Sequence, residues 1–231
     1  MLTPRITQIL ESARPAGWVL EPPAKEILAD QKLAVPNNVL TDSKETATRF
    51  LADCGGPVVL KAVSPLIVHK TEHQAVVTHV QDPDTLAVQM TRLLSLKGCD
   101  QVLVEEMVSG IAVLVGAKND LQFGPVVVLG LGGTSVEIYN DTAIRLAPVT
   151  PSDVTSMVKT LKAGPILEGF RGKPGVNMAA LTRMLVDFSH LVMDLEPFFE
   201  SIDLNPVMCD SDRCVVADAR IILLPESQRV S

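Results

Sequence analysis

Apolar and polar positions along the chain switch between a helical and a strand-like period, and the switches mark out the elements. Pro22-Pro23 followed by AKEILAD predicts a helix with proline tolerated in its first turn. Asp42, with Glu45 three residues later, reads as a capping box that opens a helix to about Cys54, where Gly55-Gly56-Pro57 stops it. PVVLKAV then predicts a buried strand and AVVTHV a second, with a loop containing His69 and Lys70 between them. Asp82-Pro83 starts a helix through Leu96, before Gly98 ends it. QVLVEEMV and IAVLVGAK read as strands joined by a turn at Ser109-Gly110, PVVVLGLGG as an apolar strand running into glycines, and AIRLAPV as a further strand. Thr150 caps the next helix, with Pro151 in its first position. From Met178 to Leu195 apolar residues recur at three-and-four spacing, which predicts a long helix. SIDLNPVM and CVVADARIILL close the chain as a hairpin. Several neighbouring strands are joined by turns too short for parallel crossovers, so antiparallel or mixed sheets follow. The expected class is α+β, two lobes with a cleft between them, rather than a doubly wound sheet.

Composition narrows this picture. Of 231 residues, 47% are hydrophobic and 20% charged, enough for one large domain or two small lobes. Aromatic residues make up only 3%, so Val, Leu, Ile and Ala must fill the interior, as suits sheets layered with helices. The net charge is -7, with no block of basic residues, which argues against a nucleic-acid partner. No apolar run approaches the roughly 20 residues that span a bilayer, so no membrane partner is expected. Met1 to Trp18 lacks the apolar stretch of a secretory signal. Four scattered cysteines make no disulfide framework, and reduced thiols in the cytoplasm are expected. Cys209 and Cys214 could close a hairpin disulfide or hold metal, although CDSDRC matches no standard zinc spacing.

Four groups carry candidate chemistry. Lys61 lies in an apolar strand, where a charge needs a partner, a cleft or an escape to the strand edge. His69 in SPLIVHKTEH is a nucleophile, a base, a metal ligand or a solvated loop residue; with His73 and His79 it forms no recognisable zinc spacing. GLGGTS, from Gly130 to Ser135, begins like a dinucleotide fingerprint but has Ser135 where the last glycine or alanine belongs, and no Walker lysine follows. Asp203 and Asn205 are two apart on a strand and so share a face, and Asp218 on the returning strand can come opposite them. Two carboxylates and an amide oxygen suit magnesium; the alternative is a solvated hairpin face.

These pieces together resemble the ATP-grasp subunit of ADP-forming acetyl-CoA synthetases, members of the NDP-forming acyl-CoA synthetase family. The resemblance is carried in order by VVLKAVSPLIVHKTE, VLVEEMV, LQFGPVVVLGLGGTSVEIYNDTAIRLAPVT, LEGFRGKPG and IDLNPV…VVADARI, from about Glu21 to Leu224. It implies an ATP-grasp fold with a nucleotide cleft between two lobes. It divides the chain into a leader helix over 1–20, a first subdomain with a phosphohistidine loop over 21–104, a second with the nucleotide and magnesium site over 105–225, and a tail over 226–231. ATP or ADP and Mg2+ are the implied cofactors. Lys61 would contact the phosphates, and Glu105, Glu106, Met107 and Val108 would form the hinge strand that holds adenine. Gly132, Gly133, Glu137 and Arg145 complete the implied nucleotide-binding set, and Asp203, Asn205 and Asp218 would hold magnesium. His69 would carry the phosphoryl group, taken from a histidine on a partner subunit, and Glu72 would orient it. The implied partner is a CoA-binding, alpha-type subunit, giving a hetero-oligomer.

The chain departs from the family pattern in three places. His73-Gln74-Ala75 follows HKTE where glycines are usual, and Glu105 stands where glutamine is frequent. Ala112 occupies the position of a glutamate that would bond the ribose hydroxyls. Two other readings follow: a non-catalytic, ATP-grasp-like regulatory subunit with weakened nucleotide binding, and a ligase that activates a carboxylate for attack by an amine. HKTE argues against the latter, because such ligases need no histidine carrier.

Overall fold

A computed structural model describes residues 2–67, 70, 73–132 and 141–225. The chain divides into two compact units, one of Pro36–Val108 and a larger one of Met1–Val35 with Ser109–Ser231.

The smaller unit is a four-stranded sheet with two helices. Its strands are β2 (Asn38–Thr41), β3 (Val58–Val63), β4 (Val76–Val80) and β5 (Gln101–Glu106), in the order β2-β5-β3-β4, every pair antiparallel. Helices α3 (Lys44–Cys54) and α4 (Pro83–Leu94) bury Ala47, Leu51, Leu86, Met90 and Leu93 against Val58, Leu60, Val102 and Val104 of the sheet. Asp82 caps α4 by accepting from Thr85 N at 2.8 Å. The cap of α3 is Ser43, not Asp42: its hydroxyl accepts from Thr46 N, while Thr41 holds the Ser43 amide at 3.0 Å.

The larger unit begins with α1 (Pro4–Ala13), β1 (Trp18–Val19) and α2 (Glu21–Asp30). Its later elements are β6 (Ile111–Asp120), β7 (Gly124–Leu131), β8 (Thr142–Leu146), α5 (Pro151–Thr160), α6 (Gly164–Glu168), β9 (Gly169–Phe170), β10 (Lys173–Pro174), α7 (Met178–Leu195), β11 (Phe199–Cys209), β12 (Cys214–Val216) and β13 (Arg220–Leu223). Seven strands form one antiparallel sheet, β1-β13-β11-β6-β7-β8, with β12 also paired to β11. Val113, Val115, Val127, Leu129, Ala143, Ile202 and Leu204 point to one face, where Phe188, Leu185, Leu181, Met157 and Val154 cover them. Thr150 and Asp153 form a reciprocal capping box on α5.

Three expectations are corrected by long-range packing. The boundary at residue 20/21 is not a boundary, because Ala24, Ile27 and Leu28 of α2 and Ile6 and Leu10 of α1 sit in the core of the larger unit. The boundary at 104/105 moves to 108/109, because β5 continues to Glu106 inside the smaller sheet. β5 and β6 are not a hairpin: they belong to different sheets. Gly110 makes the passage between them at φ +148, where a Cβ would lie 2.5 Å from the Cys209 carbonyl oxygen. The closing hairpin has a broken return strand, with β13 pairing the first half of β11 and β12 the second.

Candidate functional site

In the smaller unit, Lys61 finds a partner rather than an escape. It lies on β3 diagonal to Glu105 on β5, since Val59 is directly opposite Glu105 and Lys61 opposite Leu103. Residues two apart on a strand share a face, so both side chains stand on one side of the sheet. Lys61 Nζ is 2.7 Å from Glu105 Oε2, with side chains 8% and 2% exposed. The pair is a fixed cation with its counterion built in. Next along the chain, Glu106 N donates to Asn37 O and Met107 N to Pro57 O, so the backbone from Glu105 to Val108 is pinned at its start. Asn37 also donates to the Glu106 carboxylate at 2.9 Å.

In the larger unit the sheet face turned away from the helices carries a different set. Asp203 is opposite Gly116 on one side and Arg220 on the other, out of phase with the buried Ile202 and Leu204. By the same alternation Ala112, Leu114, Val126, Val128, Ile144 and Leu146 line this face, an apolar floor beside an acidic group. Asp218 falls in the break between β12 and β13, where its N–H and that of Ala217 donate to Pro206 O, next to Asn205. Burial pushes the Asp203 carboxyl above the usual range; Arg220, at 3.6 Å, opposes the shift and the Asp218 charge adds to it. Two carboxylates close enough for one charge to act on the other are, together with an amide oxygen, the kind of donor set that a hard divalent cation takes, and its charge would relieve that crowding. Among the described residues no trio of His, Cys, Asp and Glu is placed to hold a metal.

Gly132 closes up against β6, donating to Ala112 O at 2.8 Å, and a Cβ there would lie 2.7 Å from the Val113 carbonyl carbon. Arg145 is not brought to the acidic group. It lies opposite Val127 on the helix-covered face and donates to Ser156 Oγ on α5 and to Ile144 O, each at 2.8 Å. His69, Glu72, Gly133 and Glu137 lie outside the described residues. Cys209 and Cys214 face one another across β11 and β12 as free thiols, and contact with Cys214 together with burial pushes the Cys209 thiol far up. Sequence reasoning missed the role of Glu105 as counterion and the buried pair Glu21–Lys25; the only signal for the latter was i,i+4 spacing on α2.

The raised Asp203 carboxyl gives a pH prediction. In the window between the ordinary carboxylate value and the raised one, the folded chain binds more protons than the unfolded chain, so stability falls as pH rises through it. Asp203→Asn is expected to flatten that slope and to raise stability above the window, read by urea unfolding at a series of pH values. An unchanged slope would remove Asp203 as its source.

Residues 11–223 match the ATP-grasp domain family. The chain belongs to the ATP-grasp family. It is 37% identical to the beta subunit of ADP-forming acetate–CoA ligase I of Pyrococcus furiosus, over 94% of this chain and 97% of that one. The beta subunit of ligase II from the same organism is 34% identical, over 94% and 96%. A solved acetyl-coenzyme A synthetase of Ca. Korarchaeum cryptofilum superposes with a TM-score of 0.82 at 32% identity, covering 95% of this chain and all of that one. That protein was captured with coenzyme A and Mg-AMPPCP, its phosphohistidine segment pointing towards the nucleotide-binding site. The antiparallel two-unit architecture is the fold of these ATP-grasp relatives. Among the described residues no helix is long and apolar enough to cross a membrane.

Proposed function

We propose that this chain is the nucleotide-binding subunit of an ADP-forming acyl-CoA synthetase, moving a phosphoryl group between a histidine and ADP to couple acyl-CoA thioester cleavage or formation to ATP. The observation that carries this is the end-to-end match to a beta subunit of an ADP-forming ligase. In the direction of ATP synthesis, His69 holds the phosphoryl group received from a histidine of the partner. An oxygen of the ADP β-phosphate forms a bond to phosphorus as the P–N bond breaks, and the electron pair returns to the imidazole of His69. Lys61, fixed by Glu105, places positive charge beside the phosphates. Asp203, Asn205 and Asp218 would hold magnesium, which when bound supplies neutralising charge on the phosphate oxygens. Adenine is held by the backbone of Glu105 to Val108, with Gly132, Gly133 and Glu137 completing the nucleotide set and Glu72 orienting His69; Arg145, engaged with Ser156 on the helix-covered face, drops out of that set. The partner is a CoA-binding subunit, the assembly a hetero-oligomer and the compartment the cytoplasm, in keeping with four free thiols.

Adding the purified partner subunit, ADP, phosphate and acetyl-CoA should release ATP, and neither subunit alone should do so. A mixture that stays silent while the chain binds Mg-ADP would overturn the enzymatic reading.

One observation favours the second reading, a regulatory subunit with weak nucleotide binding: Ala112 stands on the same sheet face as Asp203, where the family pattern has a carboxylate. Ala112→Glu is expected to tighten ADP by about tenfold, one charge-assisted hydrogen bond being worth about 1.5–3 kcal/mol. Calorimetric titration of wild type and variant checks this, and equal affinities would place the ribose contact elsewhere.

A further inference from the structure

Lys25 has no place in the nucleotide site, yet it is one of the most buried charges described. Its side chain and that of Glu21, one turn earlier on α2, are 2% and 1% exposed, with Nζ 2.8 Å from Glu21 Oε1. The same ammonium donates to the carbonyl oxygen of Ala217 at 2.8 Å, a contact that spans 192 positions of sequence. Ala217 immediately precedes Asp218. The rest of this short segment is also held by backbone bonds: Val216 N donates to Ala34 O, and Ala217 N and Asp218 N donate to Pro206 O. Ala219 N donates to Asp218 Oδ1 at 2.9 Å, which sets the carboxylate's orientation.

A buried ion pair is a poor way to stabilise a helix that already has Ala24, Ile27 and Leu28 in the core, because apolar replacements of similar volume are often neutral or stabilising. What such a pair can do that an apolar contact cannot is fix one backbone carbonyl by a directional, charge-assisted bond. Misplacing a ligand by a fraction of an ångström is enough to weaken a metal site, and supports of this kind typically matter by 10–100-fold in affinity.

We propose that Lys25, held in place by Glu21, is a positioning residue that sets the Asp218 carboxylate for the divalent cation. This deepens the reading of Asp203, Asn205 and Asp218 given above and rests on it. The lysine touches neither cation nor nucleotide in this account; it acts through the Ala217 peptide.

The test is Mn2+ affinity of the full chain in the presence of ADP, read from the free-Mn2+ electron paramagnetic resonance signal, with ADP affinity in EDTA measured beside it. In E21Q/K25M the Mn2+ Kd is expected to rise about tenfold with metal-free ADP affinity unchanged. Glu21→Gln alone keeps the Lys25–Ala217 bond and should shift the Kd less than about twofold, a contrast that mere loss of helix stability would not produce. Leu10→Ala, which opens a cavity in the same core without touching Ala217, should leave the Kd unchanged. Should E21Q/K25M fail to fold, E21Q/K25Q, with a neutral and shorter donor, is expected to weaken Mn2+ about threefold. Wild-type Mn2+ affinity in the folded Lys25 variants, or an equal loss in Leu10→Ala, would overturn the positioning role. Asp218→Asn distinguishes the underlying reading: if it too binds Mn2+ as wild type does, the metal site itself is wrong.

Discussion

Lys61→Met is expected to lower the unfolding stability of the chain by about 3–5 kcal/mol, because it takes the lysine counterion from the buried Glu105 carboxylate. Glu105 is 2% exposed on its side chain and lies 2.7 Å from the lysine. Methionine matches the lysine stem in volume, so packing changes little and the loss is that of the counterion. The double variant Lys61→Met with Glu105→Leu should regain most of the stability, since an apolar pair replaces an ionic one at similar volume. Phosphoryl transfer should not recover with it: both variants are expected to remain at least about 100-fold below wild type in kcat, the usual scale for removing one preorganised charge from a transferring group. Urea unfolding at pH 7 and steady-state kinetics of the reconstituted enzyme separate the two effects. Recovery of activity with stability would make Lys61 a structural residue only.

His69→Ala has the largest expected effect on activity, a fall of about three orders of magnitude or more in kcat, because the covalent carrier is removed rather than weakened. Mg-ADP affinity should stay within about twofold, since the hinge backbone, Lys61 and the acidic cluster are untouched. A loss of nucleotide binding of the same size would mean that His69 contacts the nucleotide instead of carrying phosphoryl.

Much of the local architecture was legible in the sequence because it is written in local signals. The Thr150-Pro151 start of α5, the Asp82 cap of α4 and the apolar stripe of α7 are settled within a few residues: α5 and α4 begin where their caps predict, and α7 spans the residues its apolar spacing marks. Ser43 displaced Asp42 by a single position, since Thr41 takes the Ser43 amide and frees that serine's hydroxyl to cap. What was not legible is long-range. Nothing around Glu21 to Asp30 reveals that this helix packs 192 positions away against Ala217, so a boundary before it was a reasonable but wrong inference. Likewise the short Ser109-Gly110 connection implies a hairpin until the sheets are seen to differ. Lys61 announced itself as a charge in an apolar strand, but its partner depended on the β3–β5 register, which no single strand encodes. Asp203 and Asp218 lie close enough for one charge to act on the other, as the hairpin implied, whereas the face that Arg145 takes depends on the pairing of β8 with β7, which the strand alone does not show.

A phosphoryl relay through His69 should show itself when the purified chain is incubated with Mg2+ and γ-labelled ATP and the protein is isolated. The wild type is expected to carry acid-labile, alkali-stable label and His69→Ala none. Label on both would contradict His69 as the carrier, and label on neither, with the partner subunit added, would contradict the relay itself.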